Sequence, residues 1–370
     1  MFYVNFSYSF LSVSGFKLTF ATMSDLSTFD PNSVGLKSNN LFGLPFTQSQ
    51  AQLVLLPVPW EVTVSYRLGA ARGPEKIFNA AMQVDLYDPD VVDGWKKGFY
   101  MLPIDKNIRT KSDYLRQCAE LIISNMVDGG KCCDNAQLTE KMKEINDGGV
   151  MLHDWVYELS KDLLKDGKSV GLIGGDHSTP LGYLKALSEV HSDFAILQID
   201  AHADLRDAYE GFTFSHASIM YNVLKRIPQV KKLVQVGIRD YCDEELEVIN
   251  SSEGRIKTFF DKDIKAQQYE GATWRDICKQ IIDELPQKVY ISFDIDGLDP
   301  KLCPNTGTPV PGGFEVEQIF YLMKMLHTSG RKLIGFDLNE VSAGDHIGDG
   351  IDAIVGARVL YKLCNFMVAQ

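Results

Sequence analysis

The sequence has no Cys-x-x-Cys pair, and its seven cysteines are an odd number scattered along a long chain. That excludes a zinc ribbon and argues against a disulfide scaffold, so reduced thiols and a cytoplasmic location are expected. No apolar run approaches the roughly 20 residues that cross a bilayer, so no membrane partner is expected. Bases are outnumbered: 37 Lys and Arg stand against 49 Asp and Glu, a formal balance of −12. A sequence-independent nucleic-acid binder needs a basic surface, so nucleic acid is excluded as well. Internal repeats and long linkers are also missing. What is present is a globular composition, 45% hydrophobic and 23% charged, with 370 residues to build a large core.

The first 22 residues contain no acid and one base, Lys17, and Asn5, Ser7 and Ser9 interrupt their apolar character. A signal peptide needs a basic start and a continuous apolar run, so none is expected here. Met23 opens a more ordinary stretch and is the expected natural start. Residues 1–50 are expected to form an extension, partly disordered, ahead of one domain over 51–370.

Within that domain, short apolar runs recur at Leu53–Val58, Ser169–Ile173, Phe194–Ile199, Leu233–Ile238, Val289–Phe293 and Leu333–Phe336. They do not alternate and are bounded by Gly or Asp, the pattern of strands buried on both faces. Helical patterns separate them. Leu152, Trp155, Val156, Leu159 and Leu163 share one helical face, as do Val316, Ile319, Phe320 and Met323. Thr179-Pro180 predicts a helix start, with Thr as cap and Pro in the first turn. The alternation implies an α/β protein with a mostly parallel sheet covered by helices on both faces. Met101–Val150 is the least regular stretch. One helix is expected around Ser112–Asn125, then a polar stretch with Gly129-Gly130 and Gly148-Gly149, the whole read as an insertion.

Ligands of parallel α/β sheets bind at the carboxyl ends of the strands. Three such ends carry Gly174-Gly175-Asp176-His177-Ser178, Asp200-Ala201-His202-Ala203-Asp204 and Asp294-Ile295-Asp296-Gly297. Extended alternation would put Asp200, His202 and Asp204 on one side, and likewise Asp294 and Asp296. With His177 this gathers two imidazoles and four carboxylates. One Asp-x-His-x-Asp would be a moderate signal, and a lone histidine after Gly-Gly an ordinary loop residue. Three together at strand ends point to a cation site, because uncompensated carboxylates are costly to bury in company. Imidazole and carboxylate without thiolate suit Mn, Fe, Co, Ni or Zn.

Gly-Gly-Asp-His-Ser, Asp-Ala-His-Ala-Asp and the segment from Ser292 to Pro300 resemble the signature motifs of the ureohydrolase family of arginases, agmatinases and guanidino-acid hydrolases. Tyr66–Pro74, Val236–Arg239 and Thr306–Pro309 resemble further family segments. The resemblance runs from about Leu53 to near the C-terminus. It implies a three-layer α/β/α fold, shared with metal-dependent deacetylases, and a centre of two manganese ions, with nickel as the alternative metal. By the same resemblance, His177, Asp200, Asp204 and Asp294 hold one ion. Asp200, His202, Asp294 and Asp296 hold the other, so Asp200 and Asp294 bridge. Asp204 resembles the proton donor, His216 the proton-shuttle histidine and Glu340 the acid that meets the guanidinium.

The implied reaction is hydrolysis of a guanidino C–N bond, releasing urea. The implied partners are a small cationic guanidino substrate and further copies of the chain, as a trimer or hexamer. Arginases carry Asn two residues after Asp-x-His-x-Asp, where this chain has Arg206, and that departure favours an agmatinase. Asp207 or Glu210 would suit a second cation on the substrate. Arg206 would instead suit a guanidino acid, unless Arg206 and Asp207 pair with each other. Guanidine hydrolase and arginase are the remaining family alternatives. A deacetylase of the same fold, with one metal, is the remote one, and it has no need of His177, Asp204 and Asp296.

Overall fold

The computed structural model describes residues 26, 29–36, 38–342, 344 and 350–370. The expected start at Met23 and most of the expected extension's first half lie outside the described residues. In chain order the elements begin with β1 (Leu53–Pro57), α1 (Gly73–Ala81), β2 (Phe99–Met101), α2 (Lys106–Val127), α3 (Ala136–Lys165) and β3 (Ser169–Ile173). Next come α4 (Leu181–Val190), β4 (Phe194–Ile199), α5 (Ile219–Arg226), β5 (Val230–Ile238), α6 (Asp243–Asn250), β6 (Ile256–Phe260) and α7 (Asp261–Tyr269). The chain closes with α8 (Trp274–Asp283), β7 (Lys288–Asp294), α9 (Val316–Thr328), β8 (Lys332–Asn339) and α10 (Ile351–Val368).

The strands form one parallel sheet in the order β2-β1-β3-β8-β7-β4-β5-β6. Alternate residues of each strand feed two separate cores. Leu53 and Leu55 of β1 join one with residues of α1, α8, α9 and α10. Val54 and Leu56 join the other with residues of α2, α3, α4 and α5. This is the three-layer α/β/α arrangement expected from the motifs. Each fully buried Leu, Ile or Val contributes about 1.5–3 kcal/mol relative to exposure, so burial on both faces favours the sheet strongly.

Six strands lie where the apolar runs put them. β2 and β6 were not expected. β2 has three residues, too few for a pattern. β6 pairs only with β5 and its Lys257 is exposed, so it lacks the continuous apolar signature of a doubly covered strand. Within the stretch read as an extension, Leu41, Phe42, Leu44 and Phe46 are buried, and the Phe42 ring meets Tyr361 at 4.8 Å.

The stretch expected to be irregular is helical instead: Gly148-Gly149 lies inside α3. Glycine lowers helix propensity, and here close packing compensates. A Cβ on Gly148 would collide with Leu115 of α2, and one on Gly149 would lie 2.8 Å from the Phe214 ring. The helix start at Thr179-Pro180 also differs. Pro180 takes the cap position without a side-chain bond. The Thr179 hydroxyl turns to Asn339 Oδ1, 2.9 Å away, across the sheet end.

All seven cysteines are free thiols, and no described helix is long and apolar enough to cross a membrane. Gly148→Leu is expected to destabilise the protein by about 1–3 kcal/mol through overpacking against α2. Gly350→Ala, at a position with nothing within 4 Å among the described residues, is expected to change stability little. Urea unfolding of the two variants checks both.

Candidate metal centre

Four adjacent central strands, β3, β8, β7 and β4, deliver the expected residues at their carboxyl ends. His177 follows β3, Glu340 follows β8, Asp294 closes β7, and Asp200 follows β4. The crevice lies where β3 and β4, consecutive in the chain, are parted by β7 and β8, which is where parallel sheets hold ligands.

His177 is buried, and its Nδ1 lies 3.0 Å from Asp200 Oδ2, 3.1 Å from Asp204 Oδ2 and 3.2 Å from Asp294 Oδ2. Its Nε2 lies 2.9 Å from the Ser292 hydroxyl, which donates to Asp337 Oδ1 at 2.9 Å. That chain makes Ser292 the acceptor of an Nε2–H, leaving the Nδ1 lone pair aimed at three carboxylate oxygens. Electron pairs do not attract one another, so a cation must sit among them.

Without a metal ion, a proton takes that role. Burial opposes charge on His177, yet Asp200, Asp204 and Asp294 hold its pKa well above the ordinary imidazole range. Burial, and then the charge of Asp200, push the Asp204 carboxyl up to about 7. Burial, with Asp296 and Asp200, raises Asp294 well above the usual range.

A second group adjoins the first. His202 Nδ1 lies 3.0 Å from Asp296 Oδ2 and 3.7 Å from Asp200 Oδ1. The two compact donor groups are therefore His177, Asp200 and Asp204, and Asp200, His202 and Asp296, with Asp200 common to both. Asp294, expected to bridge, belongs to neither compact group and reaches the first through His177 alone. The donors are nitrogen and oxygen with no thiolate, which fits a divalent ion of the Mn to Zn series and not a soft one.

Convergence here does not come from simple strand alternation. β4 ends at Ile199, and Asp204 has φ 56°. Its carbonyl accepts the amides of Met220 and Tyr221 at the start of α5, at 3.1 and 3.2 Å. Asp296 sits in the turn Ile295–Gly297, where its amide donates to Asp294 Oδ1. Glu340 also has a positive φ, 61°. Left-handed conformations cost about 1–3 kcal/mol for such residues and persist where the surroundings over-determine them.

A cleft of about 270 Å³ opens over this centre, with Tyr66, His202, Asp204, Arg206, Tyr209 and His216 among its walls. His216 is half-buried, with Nδ1 3.4 Å from the hydroxyls of Thr63 and Ser215. Burial and the cations around it push its pKa down to about 3, so its imidazole is neutral. Glu340 does not line the cleft. It is buried behind His177, and its Oε1 accepts the His177 amide at 2.9 Å. Its Oε2 has no partner among the described residues. Burial, and then Asp176, raise its pKa well above the usual range. Arg206 and Asp207 do not pair with each other. Arg206 stacks on Tyr209 at 4.8 Å with its Nε 3.8 Å from buried Glu245, while Asp207 faces Lys225 at 3.7 Å.

With this geometry in place, similarity to known proteins is decisive. A model described as the arginase family matches residues 51–365. The chain belongs to the arginase family. It is 30% identical to an N(1)-aminopropylagmatine ureohydrolase of Synechocystis, over 86% of this chain and 90% of that protein. An agmatinase of Pyrococcus horikoshii is 28% identical over 84% and 90%. In fold it resembles an agmatine ureohydrolase of Thermoplasma volcanium, with a TM-score of 0.66 and 22% identity, covering 88% of this chain and 92% of that one. The chain is thus a ureohydrolase, a metal-dependent hydrolase acting on a guanidino compound.

Several supporting residues were not foreseen. Gln198 donates to Asp200 Oδ2 at 2.8 Å and accepts from Gln235 at 2.8 Å, and Gln235 accepts from Thr258 at 2.7 Å. Ser292 and Asp337 orient His177, and Asn339 also donates to Asp337. Glu245 accepts the Leu205 amide at 3.0 Å, beside Asp204. The available signal was a polar residue inside a strand that is otherwise continuously apolar.

Two measurements follow. Ser292→Ala removes the acceptor of the His177 Nε2–H and is expected to weaken metal affinity about 10–100-fold, as read by metal-dialysis equilibrium. In metal-free protein, Asp204 and His177 both have raised pKa values, so the fold binds more protons than the unfolded chain. Stability contributed by these groups is full at low pH and falls as pH rises through about 7 for Asp204 and higher for His177. Mn²⁺ competes with those protons, so it should raise Tm more at pH 8 than at pH 6. An equal or larger shift at pH 6 would count against the site.

Proposed function

We propose that the chain hydrolyses the guanidino C–N bond of agmatine, giving putrescine and urea. The observation that carries the reading is the convergence of His177 Nδ1 with three carboxylates, one of which, Asp204, lines the same cleft as His216. We assign His177, Asp200, Asp204 and Asp294 to one divalent ion and Asp200, His202, Asp294 and Asp296 to the other, with manganese as the natural metal and nickel as the alternative. Bound there, the ions supply an activated water and charge stabilisation at the guanidinium carbon.

The protein's own groups handle protons and orientation. The leaving nitrogen departs only when protonated. Asp204, which faces the cleft, is the carboxylate placed to take the proton given up by the activated water and deliver it to that nitrogen. His216, a neutral imidazole in the cleft wall, stands between the centre and the open cleft, where it can relay a proton between the two. Glu340 offers an unpartnered buried oxygen, and a guanidinium is the charge that would ionise it.

Names of relatives such as agmatinase and aminopropylagmatine ureohydrolase support a substrate with a second cation. Asp240, which also lines the cleft, offers it a partner. A guanidino acid is the second reading, favoured by Arg206 in the cleft wall. The same proposal takes residues 51–370 as one catalytic domain, in the cytoplasm, assembled as a trimer or hexamer.

Urea release from agmatine, aminopropylagmatine, guanidinobutyrate, arginine and guanidine, with Mn²⁺ and with Ni²⁺, tests the reading. Agmatine or its aminopropyl derivative is expected to lead. Release from guanidinobutyrate alone would transfer the assignment to the guanidino acids, and no release from any of them would refute it. Asp296→Ala is expected to bind one ion fewer and lose at least about a hundredfold in turnover. Wild-type turnover in that variant, or a single tightly bound zinc in the parent, would overturn the two-ion assignment and favour a deacetylase-like centre.

A further inference from the structure

A second cavity, of about 260 Å³, opens beside Phe214, two residues before His216. Leu181, Phe214 and Ile227 give it apolar walls, and exposed Lys185 and Arg226 line it together with one acid, Asp154. In its wall His153 is 8% exposed, and neither ring nitrogen has a partner among the described residues. A buried neutral imidazole presents one N–H and one lone pair, and leaving both unmet opposes folding unless something enters the cavity. A water's share of liquid volume is about 30 Å³, so the space holds either several waters or one small molecule, and only a molecule with an apolar body covers its apolar walls. The volume lies just under the range of about 300–1,000 Å³ for drug-sized ligands, which calls for a small one.

The cavity is joined to the catalytic cleft by a short chain of contacts. The His153 ring meets Phe214 edge-on at 4.8 Å, and the Arg226 guanidinium lies 4.9 Å from the same Phe214 ring. Arg226 Nε donates to Asn222 Oδ1 at 3.0 Å. Asn222 Nδ2 donates to the carbonyls of Thr213 and Ser218, at 2.8 and 3.0 Å, on either side of His216. The terminal nitrogens of Arg226 have no hydrogen-bond partner among the described residues.

We propose that this cavity binds a small monocarboxylate with an apolar body, its carboxylate on Arg226 and the His153 N–H, and that occupancy fixes the segment from Thr213 to Ser218 that carries His216. Two bases against one acid select an anion. Lys185, 4.4 Å over the Tyr157 ring, adds positive potential. The apolar walls select against inorganic anions. The site is separate from the metal ligands, so it stands whichever guanidino compound the enzyme hydrolyses.

Butyrate is the probe. Titrated into the metal-loaded full chain, it is expected to give a saturable rise in Tm. Arg226→Gln, an exposed position that leaves the fold intact, and His153→Phe should each weaken the apparent affinity about tenfold or more, the loss of one charge-assisted or buried hydrogen bond. Arg206→Gln in the catalytic cleft should leave it unchanged, and uncharged butyramide should bind about tenfold more weakly. Amide hydrogen exchange over residues 213–218 should slow on binding. No saturable rise, or a rise that survives both cavity substitutions, overturns the site. Binding without slowed exchange overturns the link to His216.

Discussion

Three carboxylate oxygens stand 3.0–3.2 Å from the lone-pair nitrogen of one buried histidine, and the rest of the molecule is arranged so that this unfavourable meeting occurs. Protein hydrogens alone do not resolve it, since Ser292 fixes the one N–H of the neutral His177 ring on the opposite side. A proton or a metal ion must enter. The donor types and the neighbouring group sharing Asp200 favour a divalent metal. The raised pKa values of His177, Asp204 and Asp294 are the mark of the same crowding when only protons are available.

Holding such groups in place takes a supporting frame, and the sheet provides it. A row of polar side chains, half-buried Thr258 and buried Gln235 and Gln198, runs across β6, β5 and β4 to Asp200. Another, from Asn339 and Asp337 through Ser292, crosses β8 and β7 to His177. Buried hydrogen-bonded rows of this kind are stiff, because moving one member leaves another unsatisfied in a low-dielectric interior. The left-handed backbone at Asp204 and Glu340 shows where that frame overrides local preference.

The sequence revealed the sheet and the donors well and their exact roles less well. Continuous apolar runs are distinctive only when a strand is covered on both faces, so the central strands were legible while short β2 and edge strand β6 were not. Gly148-Gly149 looked like a loop because residue type records a cost to helix and says nothing of the partner that makes small size useful, here Leu115 and Phe214. The ligand residues were legible as motifs, but turns after the strands aim them. Thus Asp294, expected to serve two groups, turns one oxygen to His177 and the other to the Asp296 amide. Arg206 offered two partners in sequence, and in the fold it does not pair with Asp207 but stacks on Tyr209 near Glu245 in the cleft wall. Gln198, Ser292 and Asp337 carried a usable signal, a polar residue in an apolar strand, which only their neighbours across the sheet could interpret.

The strand order has a consequence for how the molecule is made. β8, the last strand in the chain, enters the sheet between β3 and β7, so the middle of the sheet is the last part to emerge from the ribosome. Until it arrives, the outer group β2-β1-β3 has no edge to join, and His177 lies on a different piece from Asp200. Closing contacts across such long stretches of chain is slow. The donor set is therefore complete only once β8 has joined β3 to β7.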